Sequence, residues 1–222
     1  MITKSVFSFL KKLDQNNNRE WFTDHKEAFK DQQAVIKSFA GLVLENLNQH
    51  DEIEKMKLFR IYRDVRFSKD KTPYKPHFSI SYARSGATLR GGYYFQIKPG
   101  DSFIATGFWA PSPPDLLRIR KEFELDASEM REIIENSAFK AIWGGIVGDA
   151  VKTAPKGFDK NDPNIDLIKR KQIIFIKKFS DKQVLSKDFA SSIDEAYRAI
   201  RPFFNLMSSI LTTNLNGESL VD

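Results

Sequence analysis

The sequence has no cysteine and only three histidines among 222 residues. The first absence excludes a disulfide framework, a thiol nucleophile and a thiolate metal site, and makes a reducing cytoplasm the simplest location. His25, His50 and His77 fall on separate predicted elements, and neither a His-Glu-x-x-His nor a paired-Asp spacing occurs, so no metal and no cofactor is expected. Apolar runs long enough to cross a bilayer are missing, and the first dozen or so residues are too short and too charged for a signal peptide, which argues against a membrane partner. Gly144, Gly145 and Gly148 lack the spacing of a dinucleotide fingerprint and read instead as helix termination and loop. Internal repeats, low-complexity segments, a recognition-helix pattern, an RNA-binding sheet signature and zinc-finger spacing are absent as well.

What the chain does have is aromatic mass and positive charge. Its 19 phenylalanines can fill a sizeable core, and the length fits one compact domain over residues 1–222. A formal charge of +6 and an isoelectric point near 9.3 favour acidic partners, though acidic residues are also plentiful.

Helical spacing of Val6, Phe9, Leu10 and Leu13 opens a set of N-terminal helices over 4–48. Asn17 followed by Glu20 reads as a capping box that starts a long second helix, in which Phe22, Phe29, Ile36 and Val43 recur every seven residues. His25, one turn from both Phe22 and Phe29, reads as a partly buried packing histidine. A sheet core follows over 57–110. Phe59, Ile61, Val65 and Phe67 alternate with Arg60, Tyr62, Asp64 and Arg66, which predicts an extended first strand with one packed face and one charged face.

Lys69 to Pro76 contains two prolines and cannot continue a central strand, so it is expected to be a stiff basic loop. Phe78, Ile80 and Tyr82 mark the next strand, and Pro99-Gly100 joins a hairpin through a type II turn. Helices and loop over 113–170, a strand over 172–179 and a C-terminal helix over 187–213, interrupted at Pro202, complete the chain. The predicted fold class is α+β, an antiparallel meander of about five strands packed by long N- and C-terminal helices.

Four separated motifs carry a family resemblance that covers almost the whole chain. They are Phe9-Leu10-Lys11-Lys12-Leu13 with Asn16-Asn17-Asn18-Arg19-Glu20-Trp21-Phe22, the central run from Arg60 to Lys75, Gly92-Tyr93-Tyr94-Phe95 with Pro99-Gly100, and Pro155-Lys156-Gly157-Phe158. With these the chain resembles the bacterial and fungal family catalogued as domain of unknown function 2461. The resemblance implies a cytosolic α+β domain and carries over no catalytic residue. Lys98 stands before Pro-Gly where the family has an acidic residue, which makes that hairpin edge more basic.

The stretch from Arg60 to Arg90 concentrates Arg60, Arg63, Arg66, Lys69, Lys71, Lys75, Arg84 and Arg90 against only Asp64 and Asp70. Arg forks, Lys point charges and neighbouring aromatic faces on a stiff scaffold are what phosphate or carboxylate recognition needs. The expected anion site therefore uses Arg60 and Arg66 as bidentate arms, Lys69, Lys71 and Lys75 as a collar, and Tyr62 and Tyr74 as walls. Arg63, which falls on the apolar phase of the alternation, is expected to form a structural ion pair. The ligand would be phosphate-bearing, either a small phosphorylated molecule or a nucleic acid.

Two other readings stay open. In one the protein is an enzyme acting on a phosphorylated or carboxylated substrate with Asp64 as base and His77 or Tyr62 as proton relay, although an Asp between arginines suits an ion pair better than a general base. In the other, Phe108, Trp109, Tyr93 and Tyr94 present an aromatic surface to a protein partner.

Overall fold

In the computed structural model, which describes residues 1–221, the helical spacing at the start of the chain becomes α1 (Lys4–Gln15), with Val6, Phe7, Phe9, Leu10 and Leu13 buried. The predicted second helix is two helices, α2 (Arg19–Asp24) and α3 (Lys26–Leu47), separated by His25. The cap also shifts by one residue: the side chain of Asn18, not Asn17, accepts the Trp21 backbone N–H at 2.9 Å. His25 stacks on Trp21 at 3.9 Å between ring centroids, and its Nδ1 lies 2.8 Å from the Trp21 carbonyl. That local arrangement competes with continuation of the helix, so α3 restarts one residue later.

Five strands, β1 (Ile53–Leu58), β2 (Phe78–Arg84), β3 (Gly92–Ile97), β4 (Ser102–Phe108) and β5 (Ile173–Phe179), form one antiparallel sheet in sequence order. With the flanking helices this is the α+β architecture expected from the sequence. The β3–β4 turn has Gly100 at φ 77 and closes with Asp101 N–H donating to the Lys98 carbonyl at 3.0 Å.

The first strand is the main departure. It is not Phe59 to Phe67 but the six residues before them, and Phe67 is 97% exposed instead of anchoring a face. β1 stands at a sheet edge, where charged side chains blunt further pairing, and its Glu54, Lys55 and Lys57 hide it from an apolar-alternation reading.

The chain divides into two compact units. The first comprises Met1–Tyr82, Tyr94–Ile104 and Lys178–Glu195. Here α3 lays Phe29 against Phe78 and Phe39 against Phe95, each pair with centroids 5.9 Å apart. Tyr82, fully buried, donates its hydroxyl to the Ala40 carbonyl at 2.9 Å, and burial pushes its phenol pKa up. Strand parity thus gives the sheet in this unit one face of Phe78, Ile80, Tyr82, Phe95 and Ile97 turned to the helices. The other carries Ser79, Ser81, Tyr94, Gln96 and Phe103. α8 (Asp181–Val184), opened by a capping box at Ser180 and Gln183, belongs to the same unit.

The second unit comprises Ala83–Tyr93, Ala105–Lys177 and the chain from Ala196 on. Its helices include α4 (Pro113–Leu125), α5 (Ser128–Glu135), α6 (Ser137–Trp143) and α7 (Ile165–Ile168). The expected C-terminal helix is α9 (Phe189–Ala199) followed by α10 (Arg201–Thr212). Pro202 sits in the first turn of α10, where its missing N–H loses no helical bond. Phe203 and Phe204 of α10 are fully buried and meet Phe108, Phe175 and Tyr93 edge-on. Arg84 is buried with its guanidinium 4.9 Å from the Phe204 ring and donates to the Arg90 carbonyl and Ser208 Oγ.

Gly107 shows how close the backbones come in this unit. Its φ is +111, and a Cβ there would lie 2.2 Å from the Ile173 carbonyl oxygen. Gly107→Ala is expected to lower the unfolding free energy by at least about 2 kcal/mol, since it combines backbone strain with a clash that side-chain motion cannot relieve. Urea denaturation measures this directly, and an unchanged midpoint would contradict the packing described.

Candidate anion-binding site

After β1 the backbone leaves the sheet gradually. Phe59 N–H still donates to the Ser79 carbonyl at 2.9 Å, and then the chain pairs with itself. Arg63 N–H donates to the Pro73 carbonyl at 2.9 Å, Lys75 N–H donates to the Ile61 carbonyl at 2.8 Å, and Tyr62 bridges Tyr74 antiparallel. This narrow ribbon, with Ile61 buried and Tyr62 exposed, is what the alternation in the sequence reflects. Beyond its neck, residues 64–72 form a loop.

The Asn17 side chain fastens the ribbon from outside. Its amide donates to the Tyr74 carbonyl at 2.9 Å and its carbonyl accepts the Tyr74 N–H at 3.0 Å, so a side chain reproduces the pairing of a neighbouring strand. Tyr74 itself is only 4% exposed and stacks on Phe22 with centroids 4.0 Å apart. Its expected role as a site wall gives way to a core position on that face.

Inside the loop, the Arg63 guanidinium donates to the Asp70 carboxylate and the Thr72 hydroxyl, and reaches Ser68 Oγ at 3.4 Å. Asp70 also accepts the Thr72 backbone N–H at 2.9 Å and the Thr72 hydroxyl at 2.8 Å. That backbone N–H foremost, and then Arg63, hold the Asp70 carboxyl at about 2. Lys71 donates to the Val65 carbonyl at 3.0 Å. Arg66 grips Asp64 with two bonds of 3.0 and 2.6 Å, which lowers the Asp64 pKa, with the Arg60 charge contributing less.

The remaining sequence-predicted residues divide between two places. Arg60 and Lys69 are exposed and make no hydrogen bond or ion pair among the described residues. Lys75 points away from the loop, with its ammonium 5.9 Å from the Phe59 ring centroid. Tyr62, 49% exposed, keeps ring contacts with Phe22 and Tyr74. Of the catalytic candidates, no hydrogen bond among the described residues links Asp64, His77 and Tyr62. Of the aromatic group, Tyr93 and Phe108 are buried, Tyr94 is half-buried and Trp109 is exposed.

A cleft of about 450 Å³ opens beside the loop, lined by Asn17, Asn18, Arg19, Val65, Lys71, Thr72 and Pro73. Arg19 enters it from the start of α2 and Lys71 from the loop, two cations on chain segments some fifty residues apart. Sequence reasoning missed Arg19 because nothing local to the Asn-rich turn signals that it faces the basic loop. Among the described residues there is no group of acidic residues, histidine or cysteine suited to a metal ion, and no helix long and apolar enough to cross a membrane.

His77, half-buried just before β2, is pushed down to about 4 by burial first and then by the Lys75 and Lys98 charges. It is therefore neutral near pH 7. With the folded value below the ordinary 6.5, the unfolded chain takes up the proton first, so stability present above pH 6.5 falls as pH drops toward 4. Denaturation midpoints measured across that window should decline in the wild type and decline less in His77→Gln. Equal slopes would show that other groups carry the effect.

Asn17→Ala leaves both backbone groups of Tyr74 without their partner. A loss of about 2 kcal/mol is expected, with the loop becoming the first site of protease nicking. Unaltered stability and nicking pattern would mean that water replaces the amide.

The family model described as Conserved hypothetical protein (DUF2461) matches residues 5–205 of the chain. No curated protein matches it.

Proposed function

Because the chain belongs to the DUF2461 family, whose description assigns no activity, we propose from the site's own chemistry that the protein binds a phosphate-bearing ligand in the cleft between Arg19 and Lys71. The observation that carries this reading is the meeting of two cations from separate chain segments across a concavity large enough for a nucleotide-sized molecule. Arg60, Lys69 and Arg66, exposed on the same basic stretch, add to a positive field that raises the local concentration of anions. Arg66 contributes mainly through its charge, since its Nε–H and one Nη2–H, the edge that would clasp an anion, already hold Asp64.

Rigidity supports the same reading. The Asn17 clamp and the Arg63 node fix the loop backbone before any ligand arrives, so less ordering cost falls on binding. An enzymatic role finds less support, because Asp64 is engaged by Arg66 and its lowered pKa opposes work as a general base near neutral pH.

Pyrophosphate is a suitable first probe. It should raise the thermal midpoint of the wild-type protein, and Arg19→Ala and Lys71→Ala should each weaken it by about 10-fold, the scale of one charge-assisted hydrogen bond. The effect should shrink steeply as salt rises. Undiminished stabilisation in both variants would remove the cleft as the binding site.

A further inference from the structure

The face of the sheet turned away from α3 carries an aromatic ladder that the loop cleft does not use. Tyr94 on β3 and Phe103 on β4 lie 5.8 Å apart between centroids and are tilted by 35°. Phe59 stands 6.2 Å from Tyr94. All three are half-buried, so part of each ring reaches solvent. Ser79, buried on the intervening β2, bonds the Tyr94 hydroxyl beneath the ladder. Two ammonium groups gather at one end of the ladder, Lys57 at 5.0 Å and Lys75 at 5.9 Å from the Phe59 ring centroid.

We propose that this face is a stacking platform for single-stranded nucleic acid, in which Tyr94 and Phe103 take bases and Phe59 holds Lys57 and Lys75 where they meet the phosphates. The division of labour follows from what each ring already touches. Phe59 is engaged by two cations, whereas the Tyr94 and Phe103 rings lie against each other and are half-exposed. A nucleotide is the ligand that matches a half-exposed ring pair beside two ammonium groups, because its base offers a π-face and its phosphate a counter-charge. A lipid tail would leave the lysines without a counter-charge, and an acidic peptide would use the lysines but leave the rings without a planar partner.

This inference extends the phosphate-ligand reading to a polymer, yet it rests on different residues, so the two can fail separately. The test is fluorescence anisotropy of the full chain at low salt with labelled single-stranded DNA and RNA of about twelve nucleotides, within the site sizes usual for sheet-based binders. An abasic strand with the same number of phosphates serves as control. The base-bearing strands should bind at least about 10-fold more tightly than the abasic one. Phe103→Ala should lose about 5- to 100-fold on the base-bearing strands alone, and Phe103→Trp should retain binding. Lys57→Glu with Lys75→Glu should weaken all strands and flatten the salt dependence.

Equal affinity for base-bearing and abasic strands, or no oligonucleotide binding at all, overturns the platform while a pyrophosphate-induced thermal shift would leave the loop cleft standing. Strand binding that survives Arg19→Ala and Lys71→Ala but not the lysine reversals would support the platform independently of the loop cleft. If Phe103→Ala does not fold, the lysine reversals decide, and undiminished strand binding in them overturns the proposal.

Discussion

The two hydrogen bonds between the Asn17 side chain and the Tyr74 backbone hold the candidate site together. A primary amide has one N–H on the same side as its C=O, so one side chain can pair with both the C=O and the N–H of a residue 57 positions away. Phe22, on the short helix that starts just after Asn17, then stacks on the Tyr74 ring. Backbone and side chain of Tyr74 are thereby fixed by one turn of the N-terminal region. The ribbon from Ile61 to Lys75 inherits that position, and so does the relation of Arg19 to Lys71.

Beyond the clamp, the loop is organised by a division among its cations. Arg63 and Arg66 are engaged by carboxylates of the loop itself, Asp70 and Asp64. Arg84 and Arg90 serve the interior of the second unit, Arg84 against Phe204 and Arg90 against Asp115 at 2.6 Å. Arginine suits these structural posts because its planar fork satisfies several acceptors at once. Among the described residues Arg60 and Lys69 make no such bond, and they stand exposed outside the network.

Much of the fold was legible from periodicity. The helical face of α1, the alternation of β2 to β4 and the Pro-Gly turn are local patterns, and each occurs within a residue or two of its predicted place. What could not be read was anything decided by a distant partner. β1 shows almost no apolar alternation because it is an edge strand with three charged residues. Asn17 looked like a cap because capping needs only a local amide, and only the position of Tyr74 gives that amide a different use. Phe67 matched the phase of an apolar face, but the loop turns beyond Arg63 and leaves the ring in solvent. The basic character of the site was visible in composition, whereas Arg19 and the separation of Lys75 from the loop required the chain to be folded.

That separation places the cations of a single stretch in two environments. At Lys75 the ribbon rejoins the sheet, and the cation is drawn to the Phe59 ring while burial and the Arg60 charge lower its pKa. A lysine held this way sits in a field of other positive charges, with Lys57 on the same ring and Lys98 acting with it on His77. Such clustering opposes folding unless something offsets it, and the π-face of Phe59 offsets only part of it. The neutral state of His77 removes one further charge from the same place. The cations at this end of the sheet are therefore kept close together by packing and hydrogen bonds formed elsewhere. That is the physical condition under which an arriving phosphate gains more from the cluster than it would from the same residues dispersed over the surface.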